Sequence, residues 1–213
     1  MSLPAVPLPG IYQYRHDHAI RSALFLLPNY CPGCFLICYV FLQEYVPDRK
    51  GFDYFLESLK ILESCISEEQ RTRIVIVVVS RDIHSGFEGI NFEKKVIDYI
   101  TDYRLLILLY QAIDLFVNSS VEDGGPMMVS EALACGTPVV GFDMGVVNNL
   151  VINDFNGYKA ELMSAPDLSA GIKKIFELSK MEALNYSVNA EAIINEQSSF
   201  EYASKIFNEI IYE

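Results

Sequence analysis

The chain has 213 residues, 51% hydrophobic and 21% charged, and 16 Lys and Arg against 28 Asp and Glu leave a net charge of −12. A mean hydropathy of +0.22 excludes a largely disordered chain, and the length suffices for one core without disulfides or metal. A pI near 4.7 argues against nucleic acid and polybasic membrane contact, both of which need clustered Lys and Arg; an anionic ligand must be held by a few placed cations and backbone N–H groups.

The apolar runs at 23–28, 34–42 and 74–79 fall far short of the ~18 residues of a membrane span. Residues 1–10 carry three prolines and no basic stretch, unlike a secretion signal. Residues 1–10 are expected to be a leader and extended linker, with the folded domain over 11–213. Five cysteines, an odd number lying mostly in apolar stretches, point to a reduced, cytoplasmic compartment.

The pattern predicts a short helix over 18–26, ended by Pro28 and Gly33. Residues 34–42 (CFLICYVFL) read as a strand buried on both faces. Residues 50–64 carry a helical stripe of Phe52, Phe55, Leu56, Leu59, Ile61 and Leu62. Residues 73–80 (RIVIVVVS) are the clearest strand, and 96–100 suggest another. Thr101 is expected to cap a helix running through Ala112, with Asp102 at its positive end. A strand over 114–119 precedes a helix over 128–135 closed by Gly136. A strand over 138–142, a helix over 166–178 opened by Pro166, and one or two helices over 182–212 complete the series.

Strands apolar on both faces that alternate with helices imply a doubly wound parallel sheet covered by helices on both faces. Ligands of such sheets bind beyond the carboxyl ends of the strands. The segments to inspect are therefore 43–50, 80–91, 100–102, 120–127 and 142–147.

Residues 119–145 (SSVEDGGPMMVSEALACGTPVVGFDMG) concentrate the chemistry. Gly124 and Gly125 let backbone approach a ligand, and they open onto a helix N-terminus, where free N–H groups favour phosphate. Glu131 lies one turn into that helix, and its carboxylate suits a pair of ribose hydroxyls. A Gly-Gly pair before a helix is by itself more often an ordinary turn. The full string says more. Asp123, seven residues, Glu131 and then ALACGTPVV over 132–140 resemble the signature of family 4 glycosyltransferases, enzymes of the GT-B fold. Arg49-Lys50-Gly51-Phe52, Tyr99-Ile100, 113–119 (IDLFVNS), Asn156-Gly157-Tyr158 and Asp167-Leu168 resemble further elements of that family in the same order. The DGGPMM form looks like the branch that builds bacterial surface polysaccharides.

The resemblance implies the nucleotide-sugar donor half of a two-domain, Rossmann-like enzyme, with the acceptor-binding domain absent from this chain. It implies that Lys50 pairs with the donor diphosphate and that Asp123 binds sugar hydroxyls. Gly124, Gly125 and Met127 would approach sugar and phosphate, Glu131 would hold the ribose, and Ile100 would meet the base. Transfer would retain anomeric configuration through an oxocarbenium-like transition state, without a metal or other cofactor. The acceptor would be a polysaccharide or lipid-linked glycan, reached through the absent domain, as would any contact with the inner face of the membrane. Three positions depart from the family. Glu44 stands where an Arg is common, with Arg49 or Arg81 as substitutes; the first acid is Asp123; and Pro126 offers no N–H. A catalytically inactive nucleotide-sugar-binding module and a nucleotide-sugar epimerase of the same architecture are the alternative readings.

Other features weigh less. Cys31 and Cys34 with His16 and His18 match no common zinc module. His84 reads as a surface histidine of a loop. Asp143, Gly145 and Asn148 read equally as a turn or a second ligand contact, and Tyr202, Ile206 and Ile210 as a packing stripe.

Overall fold

The structure is a computed structural model that describes residues 34–40, 49–81, 85–122, 127–197 and 204. The expected helix at 18–26, the linker, Cys31, His16, His18, Glu44, His84, Asp123, Gly124, Gly125, Pro126 and the stripe at 202–210 lie outside those residues.

The described chain runs β1 (Phe35–Val40), α1 (Phe52–Cys65), α2 (Glu68–Arg71), β2 (Ile74–Val79), a 3-10 turn (Ser85–Phe87), β3 (Glu93–Ile97) and α3 (Tyr103–Ala112). It continues with β4 (Leu115–Asn118), α4 (Met127–Ala134), β5 (Val139–Phe142), α5 (Gly145–Leu150), β6 (Gly157–Ala160), α6 (Ala165–Phe176) and α7 (Lys180–Gln197). The six strands form one parallel sheet in the order β3-β2-β1-β4-β5-β6. This is the Rossmann-like, doubly wound sheet that the alternation predicted. Strand order reverses between β1 and β4, which defines the switch point.

Alternate residues of each strand feed two cores. On one face Ile37, Tyr39, Ile76, Val78, Val117 and Phe142 meet Phe55, Leu59 and Leu62 of α1 and Leu168 and Ile172 of α6. On the other, Leu36, Cys38, Val77, Phe116 and Val139 meet Leu109 and Tyr110 of α3, Val129 and Leu133 of α4, Val147 of α5 and Ile193 of α7. The β2 residues IVIVVV are buried throughout, because helices cover both of their faces.

Boundaries moved where local chemistry was misread. The α3 cap is Asp102, not Thr101: its carboxylate accepts from the Arg104 N–H at 2.9 Å. β3 lies at Glu93–Ile97 rather than 96–100, since an edge strand tolerates the charges of Glu93, Lys94 and Lys95. α2 was missed, although Ser67 and Gln70 form a reciprocal capping box legible in SEEQ. Ser179 and Glu182 make a similar pair where α7 starts. β6 lacks a strand-forming composition and exists through pairing with β5. Gly157 is required there because a Cβ would lie 2.0 Å from the Val139 carbonyl oxygen. The expected α4 C-cap is present: Gly136 has φ 73.

Candidate functional site

The carboxyl ends of the strands present, in sheet order, Tyr99 and Ile100 after β3, Arg81 after β2, the Arg49-Lys50-Gly51 turn before α1, Ser119–Glu122 after β4, and Asp143 after β5. β1 and β4 are neighbours, so the Lys50 turn and the segment leading to Asp123 meet at the switch point.

Their contact is a set of backbone bonds. The Arg49 carbonyl accepts from the N–H groups of Val121 at 2.9 Å and Glu122 at 3.3 Å. The Lys50 carbonyl accepts from the Tyr39 hydroxyl at 3.2 Å and the Ser119 hydroxyl at 3.0 Å. Ser119 Oγ also lies 3.3 Å from Tyr39 Oη, and its single proton serves one acceptor at a time. Gly51 closes the clasp at φ 60, where a Cβ would stand 1.8 Å from the Ser119 carbonyl oxygen. Only glycine fits both constraints.

Tyr39 is held rigidly. Its ring stacks on Phe55 with centroids 4.2 Å apart and 6° between planes. Burial pushes its hydroxyl up to about 12, opposed by the Ser119 hydrogen bond. Within the loop, the Asn118 side-chain carbonyl accepts from the Ser120 N–H at 3.1 Å and shapes the exit from β4.

Arg49 is exposed and Lys50 half-buried. Met127 opens α4 and is 74% exposed. Glu131, four residues on, is half-buried and accepts at Oε2 from the Tyr110 hydroxyl at 3.2 Å. Ile100 packs against the core cluster that contains Tyr110. The exposed Arg81 guanidinium lies over the Tyr99 ring, 5.8 Å from its centroid, a cation–π arrangement. Lys50, Glu131, Ile100, Arg49, Arg81 and Met127 all belong to segments at or just beyond the carboxyl ends of the strands.

Other polar residues of the matching segments serve the scaffold. Asp114 accepts from the Leu36 N–H at 2.8 Å and returns its own N–H to the Leu36 carbonyl at 3.0 Å. Asn156 accepts from the Ile152 N–H and donates to the Leu150 carbonyl. Asp143 accepts from Asn148 at 2.6 Å and faces Lys159 at 3.9 Å. Gly145 and Asn148 are part of helix α5 instead of a turn. Cys34, Cys38 and Cys135 are buried, and burial pushes Cys38 up to about 12, which makes it an inert packing residue.

Sequence reasoning missed Tyr39, Ser119 and Tyr110. Tyr39 was hidden as one apolar residue in a strand and Tyr110 as one in a helix. The Asn118-Ser119-Ser120 run directly after β4 was the available signal.

Comparison with known proteins agrees with this geometry. The family described as "Glycosyl transferases group 1" matches residues 38–191. Over 143 residues the chain is 29% identical to the N,N'-diacetylbacillosaminyl-diphospho-undecaprenol alpha-1,3-N-acetylgalactosaminyltransferase of Campylobacter jejuni, covering 67% of this chain and 36% of that protein. The chain spans about a third of the length of the curated relatives it matches. Among solved structures, Anabaena HepE in complex with UDP and glucose superposes with a TM-score of 0.67 at 19% identity, covering 95% of this chain and 54% of HepE. The C-terminal domain of the group 1 glycosyltransferase LpcC of Francisella tularensis gives a TM-score of 0.61 at 17% identity, covering 78% of this chain and 87% of that domain. A parallel Rossmann-like sheet with a lysine–glycine turn clasped at its switch point, together with a family match over most of its length, makes this chain a member of the group 1 glycosyltransferases.

Proposed function

We propose that the chain is the nucleotide-sugar donor domain, the C-terminal half, of a retaining family 4 GT-B glycosyltransferase acting on a polysaccharide or lipid-linked glycan. The observation that carries this reading is the clasp between the Lys50 turn and Ser119–Glu122. It fixes the main chain of the Lys50 turn against the segment that precedes Asp123 in the sequence.

In this reading the sugar–phosphate bond breaks with oxocarbenium-like charge on the sugar, and negative charge grows on the departing diphosphate. Lys50 and the N–H groups at the start of α4 stabilise that charge electrostatically. The reaction draws on no metal or other cofactor. Asp123 holds sugar hydroxyls, and Gly124, Gly125 and Met127 line the approach of sugar and phosphate. Glu131 binds the ribose. Ile100 meets the base, and Arg49 and Arg81 add positive charge at the rim. The named activity of the Campylobacter relative supports a lipid-linked acceptor, and the HepE complex supports a uridine nucleotide. Acceptor binding, and any contact with the inner face of the membrane, falls to a separate N-terminal domain of a cytoplasmic enzyme.

Calorimetric titration with UDP and a thermal-shift panel of nucleotide sugars test the reading. Binding of a nucleoside diphosphate, weakened by Glu131→Ala by ~1–3 kcal/mol, with no sugar transfer by the chain alone, is expected. No nucleotide bound in the panel, or turnover by this chain alone, overturns it. Glu44 in the common arginine position favours a second reading, a non-catalytic nucleotide-sugar-binding module. That reading predicts donor binding without turnover even when an acceptor-binding half is supplied.

A further inference from the structure

The Tyr110 hydroxyl is an expensive group to place in a core. Its ring lies edge-on to Phe116 at 5.8 Å, and its main-chain carbonyl accepts from the Thr137 hydroxyl at 2.5 Å. The residue is 1% exposed. Phenylalanine would fill the same space and make the same ring and main-chain contacts. What tyrosine adds is one donor, and that donor points at Glu131 Oε2.

We propose that Tyr110 is a positioning residue for nucleotide recognition: it fixes the Glu131 carboxylate so that the other oxygen and the remaining lone pairs face the ribose hydroxyls. The inference rests on the ribose role given to Glu131. A glutamate side chain has three rotatable bonds, and bidentate capture of a diol needs one orientation. A buried donor on a rigid ring selects that orientation before ligand arrives. Among the described residues, Tyr110 is the hydrogen-bond partner of this carboxylate. Burial first, and then the neighbouring Glu131 charge, push the Tyr110 hydroxyl above its ordinary range, so the donor keeps its proton at any physiological pH. Helices α3 and α4 are thereby joined by a polar contact placed where the second of them presents its acid.

The test compares UDP with 2′,3′-dideoxyuridine diphosphate on the same protein samples. The readout is the ratio of the two affinities, which a partial loss of folded protein leaves unchanged. Tyr110→Phe should weaken UDP about three- to tenfold and leave the dideoxy compound within twofold, so that the ratio falls. Glu131→Gln should lower the ratio at least as far, and in Glu131→Ala, which leaves Tyr110 no side-chain oxygen to orient, adding Tyr110→Phe should lower it no further. If Glu131→Gln lowers the ratio and Tyr110→Phe does not, the positioning role fails and the ribose role stands. Equal weakening of both ligands by Tyr110→Phe likewise makes Tyr110 a packing residue only. If Glu131→Gln leaves the ratio unchanged, the ribose assignment itself fails, and this inference with it.

Discussion

Gly51→Ala is the sharpest perturbation of the clasp. The new Cβ would have to retreat from 1.8 Å to at least 3.0 Å from the Ser119 carbonyl oxygen, and the obstacle is main chain, so no side-chain rotation relieves it. The backbone is also left-handed, with φ 60, which costs a Cβ-bearing residue roughly 1–2 kcal/mol. Moving the turn away loosens four hydrogen bonds to the Arg49 and Lys50 carbonyls, each contributing about 1 kcal/mol net. Loss of half of them together with the left-handed strain gives roughly 3–4 kcal/mol, a drop in Tm of about 6–16 °C for a domain of this size. Gly89→Ala supplies the control. Gly89 has φ 78 and no atom within 4 Å of a built Cβ, so that variant shows the left-handed cost alone. Differential scanning calorimetry of both variants, with UDP titrations, measures the difference. A Gly51→Ala protein that melts within 2 °C of Gly89→Ala and binds UDP as the parent does would refute the clasp as the element that sets the Lys50 turn.

Lys50→Ala should reduce affinity for UDP more than for uridine, and Arg49→Ala should do less, because Lys50 is the half-buried member of the pair; titrating nucleoside, monophosphate and diphosphate against each variant decides the order. Stability should fall in alkali. Tyr39 is raised from 10.0 to about 12 in the fold, so its contribution of roughly 2–3 kcal/mol is complete below about pH 10 and is lost as pH rises towards 12. Urea melts between pH 9 and 12 should show this loss, and Tyr39→Phe should make it smaller by roughly 2–3 kcal/mol, the remainder coming from Cys38 and Tyr110, which are raised as well. Asp114→Ala should destabilise the chain by about 1–3 kcal/mol, because it strands the buried Leu36 N–H, while UDP affinity stays within twofold; a selective loss of UDP binding would move Asp114 into the site.

The order of strands and helices was legible because burial on both faces leaves continuous apolar runs such as IVIVVV, and helical stripes such as Phe52–Leu62 repeat at helical spacing. The ligand-facing segments were legible too, since chain topology alone assigns them to the carboxyl ends of strands. Capping signals were legible but misread: SEEQ at Ser67–Gln70 and Asp102 beside Thr101 each carry a local hydrogen bond independent of the fold. β6 was not legible, because GYKA becomes a strand only when β5 offers its free edge.

The sequence by itself determined the parallel sheet and the family signature from Asp123 to Val140. These are properties of neighbouring residues or of a short period, and they survive without knowing what packs where. Tertiary structure alone decided which side chains hold the site residues. Tyr39 and Ser119 are 80 residues apart yet share the Lys50 carbonyl, and Tyr110 reaches Glu131 across the packing of two helices. A hydroxyl in an apolar run carries no mark of its partner, because the partner is fixed by which strands and helices become neighbours, and that is settled only when the whole sheet closes its cores.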